Sequence, residues 1–176
     1  MQKITLFFLA VMTAFVISSC SKTEEIAPVT VVGIWNATEI GAILDSKTYK
    51  APPGKEFKEG TSTLSVKDFS YEFKNDGTGI FGDETAKYTL STDGKKLVII
   101  TPTYTVNLEV TGLTATELKL STIKLTKKAG ERYKSVDIDA LLAILNSTYA
   151  IIGNGGTTAD ITNSTSIQGT ITFKRP

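Results

Sequence analysis

Hydrophobic and polar positions along this chain fall into three regimes. From Ile4 to Ile17 the residues are almost all apolar. Ser21 to Val29 is polar, charged and proline-containing, which predicts a solvated tether. Beyond it the dominant period is two, the period of a half-buried strand. Val31 to Thr38 predicts a first strand. Gly41 to Thr63, with Pro52-Pro53-Gly54 and scattered lysines, has little periodicity and predicts a long loop, with short structure near Leu64 to Val66. Phe69, Tyr71 and Phe73 then share one parity. Asn75-Asp76-Gly77-Thr78-Gly79 predicts a hairpin turn, because Asp-Gly suits positive φ. Ile80 and Phe81 begin the return strand. Ala86, Tyr88 and Leu90 alternate with Lys87 and Thr89, and Thr92-Asp93-Gly94-Lys95 repeats the turn signal. Leu97 to Thr101 is a continuous apolar strand. Tyr104, Val106, Leu108 and Val110 alternate strictly with Thr105, Asn107 and Glu109.

Glu117 to Thr126 breaks this regularity. Leu118 and Leu120 hold one parity, Ile123 and Leu125 the other, and a one-residue slip would turn half of the strand's apolar groups to water. A β-bulge near Ser121-Thr122 repairs it and helps curl a sheet toward closure; a strand that ends early is the simpler alternative. After a charged connector, Lys127 to Lys134, Ser135 is placed to cap a helix running to about Leu145, with Asp137 and Asp139 at the positive end of its dipole. Its apolar residues lie almost all round, which predicts burial over a barrel end or on the sheet. Tyr149 to Ile152 reads as a short strand, Gly153 to Thr158 as a loop. Ile167, Ile171 and Phe173 share a parity in a final strand expected to pair with the first.

Composition narrows the chemistry. The vocabulary of Thr, Val, Ile, Tyr and Phe is that of strands, and roughly 150 residues beyond the leader suffice for one domain with a real core. Without Lys3 the cations and acids balance at 18 each, so nothing funnels a polyanion and nucleic-acid binding is disfavoured. There is no histidine, which removes the usual general base, the commonest metal ligand and any Ser-His-Asp or Cys-His scheme. Asp83 and Glu84 are chain neighbours that a strand would point to opposite faces. Asn75-Asp76-Gly77 lacks the later ligands of a calcium loop, and Gly153-Asn154-Gly155-Gly156 lacks the Lys-Ser/Thr ending of a phosphate loop. The expectation is a non-enzyme with no metal and no cofactor. A carboxylate-only glycan enzyme would need two carboxyls roughly 5–10 Å apart in a cleft.

Cys20 is the only cysteine and follows the apolar run after two serines. The run's 14 residues fall short of the ~20 that span a bilayer. Lys3, the apolar stretch and Ile17-Ser18-Ser19-Cys20 resemble a bacterial lipoprotein signal peptide with its lipobox. The resemblance implies cleavage before Cys20, a diacylglyceryl group on its sulfur and an acylated N-terminus, with palmitate-type chains that together anchor stably. A plain secretory signal and a retained helix are the competing readings. The domain plan is residues 1–19 leader, 20–29 tether and 30–176 folded domain. The expected place is the bacterial envelope, lipid-anchored at the outer membrane, on either face. Glu24-Glu25 loosely resembles the acidic export signals of Bacteroidetes-type surface lipoproteins, and a solvated linker explains it equally well.

Gly33-Ile34-Trp35 resembles the Gly-X-Trp of lipocalins. "YEFKNDGTGIF" at Tyr71, "KYTLSTDGKKLVI" at Lys87 and "YTVNLEVTGLTATELKL" at Tyr104 resemble lipocalin-like lipoprotein domains of the Bacteroidetes type. The likeness covers roughly Val31 to Leu125. It implies an all-β, up-and-down antiparallel barrel, here with one short helix near the C-terminus. It further implies structural roles for Gly33 and Trp35, with a late arginine, Arg175 before Arg132, stacked on the Trp. No counterpart of the lipocalin Thr-Asp-Tyr motif is present. Tyr71, Phe73, Tyr88, Tyr104, Leu108 and Leu120 form inward stripes. They fill the core of a small barrel, or line a site for a small apolar or amphipathic ligand in a wider one. The alternative is an accessory module that docks an envelope protein, with Tyr49 to Gly60 as the contact loop.

Overall fold

In the computed structural model the described residues are 29–59 and 62–176; the leader, Cys20 and the tether as far as Pro28 lie outside them. Twelve strands and two helices follow in order: β1 (Gly33–Leu44), β2 (Lys47–Ala51), β3 (Glu56–Glu59), β4 (Ser62–Ser65), β5 (Ser70–Phe73), β6 (Thr78–Phe81), β7 (Glu84–Leu90), β8 (Lys96–Ile100), β9 (Thr105–Leu113), β10 (Glu117–Ser121), β11 (Leu125–Thr126), α1 (Ile138–Gly153), α2 (Thr158–Asn163) and β12 (Ser166–Lys174). Strands β1, β5, β6, β7, β8, β9, β10 and β12 pair in that order, each antiparallel to the next, and β12 returns to β1. The fold is therefore a closed eight-stranded up-and-down barrel, with the last strand on the first as the sequence predicts.

Turn chemistry sets the meander. Gly77 and Gly94 take φ of 80° and 69° in the two Asp-Gly turns. In each the preceding aspartate accepts the backbone N–H two residues on, Asp76 from Thr78 at 2.9 Å and Asp93 from Lys95 at 3.1 Å. Gly82, at φ 63°, makes the tight β6–β7 turn. Inside, Phe73, Leu97, Leu118, Leu120 and Phe173 are wholly buried. Tyr71, Phe73, Phe81, Tyr88 and Phe173 form a chain of edge-on and tilted ring contacts with centroids 4.8–6.2 Å apart. Such pairs add about 0.5–1.5 kcal/mol each beyond area burial.

Two bulges reset inward parity. On β1, Ala37 faces Phe173 and Glu39 faces Thr172, so Thr38 is the extra residue. Trp35 and Ala37 point inward before it; Ile40, Ala42 and Leu44 do so after it. The predicted first strand ending at Thr38 is thus too short, and the predicted loop from Gly41 to Thr63 is instead the rest of β1 with strands β2, β3 and β4. The slip read near Ser121-Thr122 is also real. Ser121 faces Thr170 and Leu125 faces Ile167, so one chain spends four steps where its partner spends three. The regular strand stops at Ser121 and resumes as β11. A further offset opposite Lys119 and Leu120 leaves Thr111 of β9 unpaired.

Helix α1 begins later and ends later than the sequence predicts. Asp137, not Ser135, is its cap, accepting the Ala140 N–H at 2.8 Å. Tyr149 to Ile152 continues it rather than forming a strand, because Ala140, Ala143, Ser147, Ala150 and Ile151 make one buried helical stripe. The stripe lies on β1, β2 and β12. A side chain at inward-facing Gly169 would come within 2.7 Å of Asn146 Cβ, so α1 sits on the barrel side of the strands that project past the barrel rim.

Candidate functional site

The two barrel ends differ. At the end holding the Asp-Gly turns, Trp35 is fully buried and its indole N–H donates to the Val31 carbonyl at 2.6 Å. The Arg175 guanidinium lies over its ring at 4.3 Å and donates to the Thr30 carbonyl at 2.9 Å. Arg175, the first of the two arginines weighed, therefore takes the stacking place. Gly33 is required here twice over: its φ is 132°, and a Cβ would fall 2.3 Å from an Arg175 nitrogen. This end is shut by packing.

The opposite end keeps a recess of about 280 Å³. Tyr71, Phe81, Ile99 and Val106 line it from the strands, Phe69 and Tyr104 from strand approaches, and Ile138 and Leu142 from the first turns of α1. Gly82 and Thr101 complete the wall, and no lining residue is charged. Burial, with Tyr104 nearby, pushes the Tyr71 hydroxyl up to about 12. Burial raises Tyr104 too, helped by the Glu84 carboxylate beside it. Both phenols are thus neutral hydrogen-bonding groups at the rim of an apolar hollow. Chemically the recess suits retention of an uncharged molecule, not proton transfer.

Of the predicted ligand-lining residues, Tyr71 and Tyr104 stand in this recess. Phe73 and Leu108 do not; they are core residues, as is Leu120, buried to within a few per cent. Tyr88 lies at the far end, where its hydroxyl donates to the Lys74 carbonyl at 2.7 Å. Reasoning from strand parity missed Ile99, hidden in the unbroken run Leu97 to Ile100, and missed Ile138 and Leu142, whose placement depends on where α1 docks. The predicted loop from Tyr49 to Gly60 is instead, as far as Glu59, the end of β2, a turn and β3, and Tyr49 itself is buried. A second groove, about 470 Å³, runs along the outer face of β8 and β9 beside Ile123. Its lining mixes the apolar Leu108, Val110 and Ile123 with the charged Lys95, Lys96 and Glu109 and with Asn107 and Thr111.

One contact at the recess is unexpected. Where β10 stops at Ser121, the β9 edge loses its neighbour. Asp139 in the first turn of α1 fills the gap, accepting the Asn107 backbone N–H and its side-chain amide, each at 2.8 Å. The sequence assigned Asp139 only to the helix dipole. Among the described residues, no cluster of three or more His, Cys, Asp or Glu side chains is positioned to hold a metal ion, and no helix is long and apolar enough to cross a membrane. No family model, curated protein or solved structure matches this chain.

Proposed function

We propose that this chain is a lipid-anchored, non-catalytic barrel of the bacterial envelope, similar to the lipocalin-like lipoproteins, which holds a small uncharged apolar molecule. The observation that carries the reading is the uncharged, aromatic-lined recess between Tyr71, Tyr104 and the first turns of α1. Its size sets the occupant. An apolar cavity of about 150 Å³ holds a benzene, whereas sites for drug-sized ligands run from about 300 to 1,000 Å³. One or two rings or a short branched chain fit; a long acyl chain does not. The stacking of Arg175 on Trp35 supports the family likeness, and the leader ending at Cys20 supports the anchor.

Native mass spectrometry of the protein purified from a bacterial envelope is expected to show an adduct of one or two rings' mass. Leu142→Trp, which fills the recess, is expected to abolish it, and an adduct that survives the substitution refutes the site. Metabolic labelling with an alkynyl palmitate tests the anchor separately, and Cys20→Ser is expected to lose the label.

A further inference from the structure

We propose that α1 is a hinged lid over the recess, latched shut by Asp139 on the unpaired edge of β9. The inference rests on the ligand reading above and adds the means of entry. Three observations carry it.

First, the residues on either side of the latch are the recess wall. Ile138 and Leu142 line the hollow, and Asp139, between them, makes the two bonds to Asn107. Lifting the first turn of α1 opens the recess, breaks this clasp and withdraws Ile138 and Leu142 from the core.

Second, the seat of α1 contains an unmet polar group. Its buried stripe combines the small Ala140, Ala143, Ser147 and Ala150 with Asn146 and Ile151. Small side chains remove little apolar area from water. The Ser147 hydroxyl is wholly buried and has no hydrogen-bond partner, which penalises the closed position directly.

Third, the two ends of the helix are held unequally. At the C-terminal end Asn154 N–H reaches the Ala150 carbonyl at 3.1 Å, and Gly156 N–H reaches the Ile151 carbonyl at 2.8 Å. Beyond them α2 is tied down by Lys127 Nζ, which donates to the Thr162 carbonyl at 2.7 Å and to the Ser164 carbonyl. The N-terminal end follows a connector without regular structure from Lys127 to Asp137, in which Gly130 takes φ 83°. Tyr133 ties this connector to Ser164, with 3.1 Å between their hydroxyls, so any movement of the latch end begins after Tyr133.

The test uses 2-naphthol, an uncharged bicyclic fluorophore, with stopped-flow fluorescence and hydrogen exchange on the folded protein. Asp139→Ala is expected to raise both association and dissociation rates at least about tenfold, the scale of one charge-assisted hydrogen bond. Ser147→Ala, which removes the orphan hydroxyl, is expected to slow both several-fold. Exchange of α1 amides should rise in the first variant and fall in the second, with the barrel strands unchanged. Asn107→Ala removes only the side-chain half of the clasp and serves where Asp139→Ala fails to fold; it should give an intermediate rise. Unchanged rates and unchanged α1 exchange in these variants overturn the lid. Absence of naphthol binding in every variant, with α1 exchange still moving in opposite directions, overturns the ligand reading and leaves the lid standing.

Discussion

Trp35, Arg175 and Gly33 form one unit in which each residue sets the requirement for the next. The indole is buried, the guanidinium covers it, and only a glycine leaves room for the guanidinium. Gly33→Ala should therefore cost about 1–3 kcal/mol, combining positive-φ strain with the displaced arginine. Arg175→Ala should cost about 1–2 kcal/mol through the lost cation–π stack. Both are read from urea unfolding, and a neutral Gly33→Ala would show that Arg175 does not hold this position. Tyr71 makes a pH prediction. Its hydroxyl keeps its proton up to about 12 in the fold, against 10.0 in the unfolded chain. Between those values the folded state binds more protons, so stability falls as pH rises, and below pH 10 this group contributes no slope. Tyr71→Phe should flatten that alkaline limb in thermal melts, and its ultraviolet titration should lack a late-titrating phenol that the wild type shows.

At the scale of elements, register decides what a sequence reveals. The meander from Phe69 to Val110 was legible because parity held and Asp-Gly marked the turns. The second half of β1 was not, because Thr38 inverts the parity and makes Ile40, Ala42 and Leu44 look unpatterned beside Trp35 and Ala37. The slip after Leu120 was legible because apolar residues flank it on both parities. Deleting Thr38 should turn Ile40, Ala42 and Leu44 outward. Exposing Ile and Leu alone costs roughly 1.5–3 kcal/mol each, so loss of cooperative folding is expected by circular dichroism. Thr38→Ala keeps the bulge and loses only a 3.2 Å bond to the Thr172 carbonyl, a change of about 1 kcal/mol or less. Equal effects from the two would rule out parity as the cause. The recess was only half legible for a related reason. Strand parity delivers Tyr71 and Tyr104, but no local pattern tells which face of α1 meets a barrel, since its sequence after Asp139 has no charged side to mark solvent.

At the scale of the molecule, the barrel has one packed end and one end closed by a helix, and a single pairing makes it a closed surface. Strand β12 joins β1 on one side and β10 with β11 on the other. Removing Ser166 to Pro176 is expected to abolish cooperative unfolding and to increase binding of a hydrophobic dye, because β1 and β10 would become open edges. A truncated protein that still melts cooperatively would show that the remaining seven barrel strands suffice. That same pairing carries a consequence in time. The contact between Thr38 and Thr172 spans 134 positions, so the ring cannot close until synthesis has passed Thr172. Folding limited by such distant partners takes milliseconds to seconds. Until β12 arrives, a nascent chain presents β1 and β10 as open edges, so closure waits on the last barrel strand.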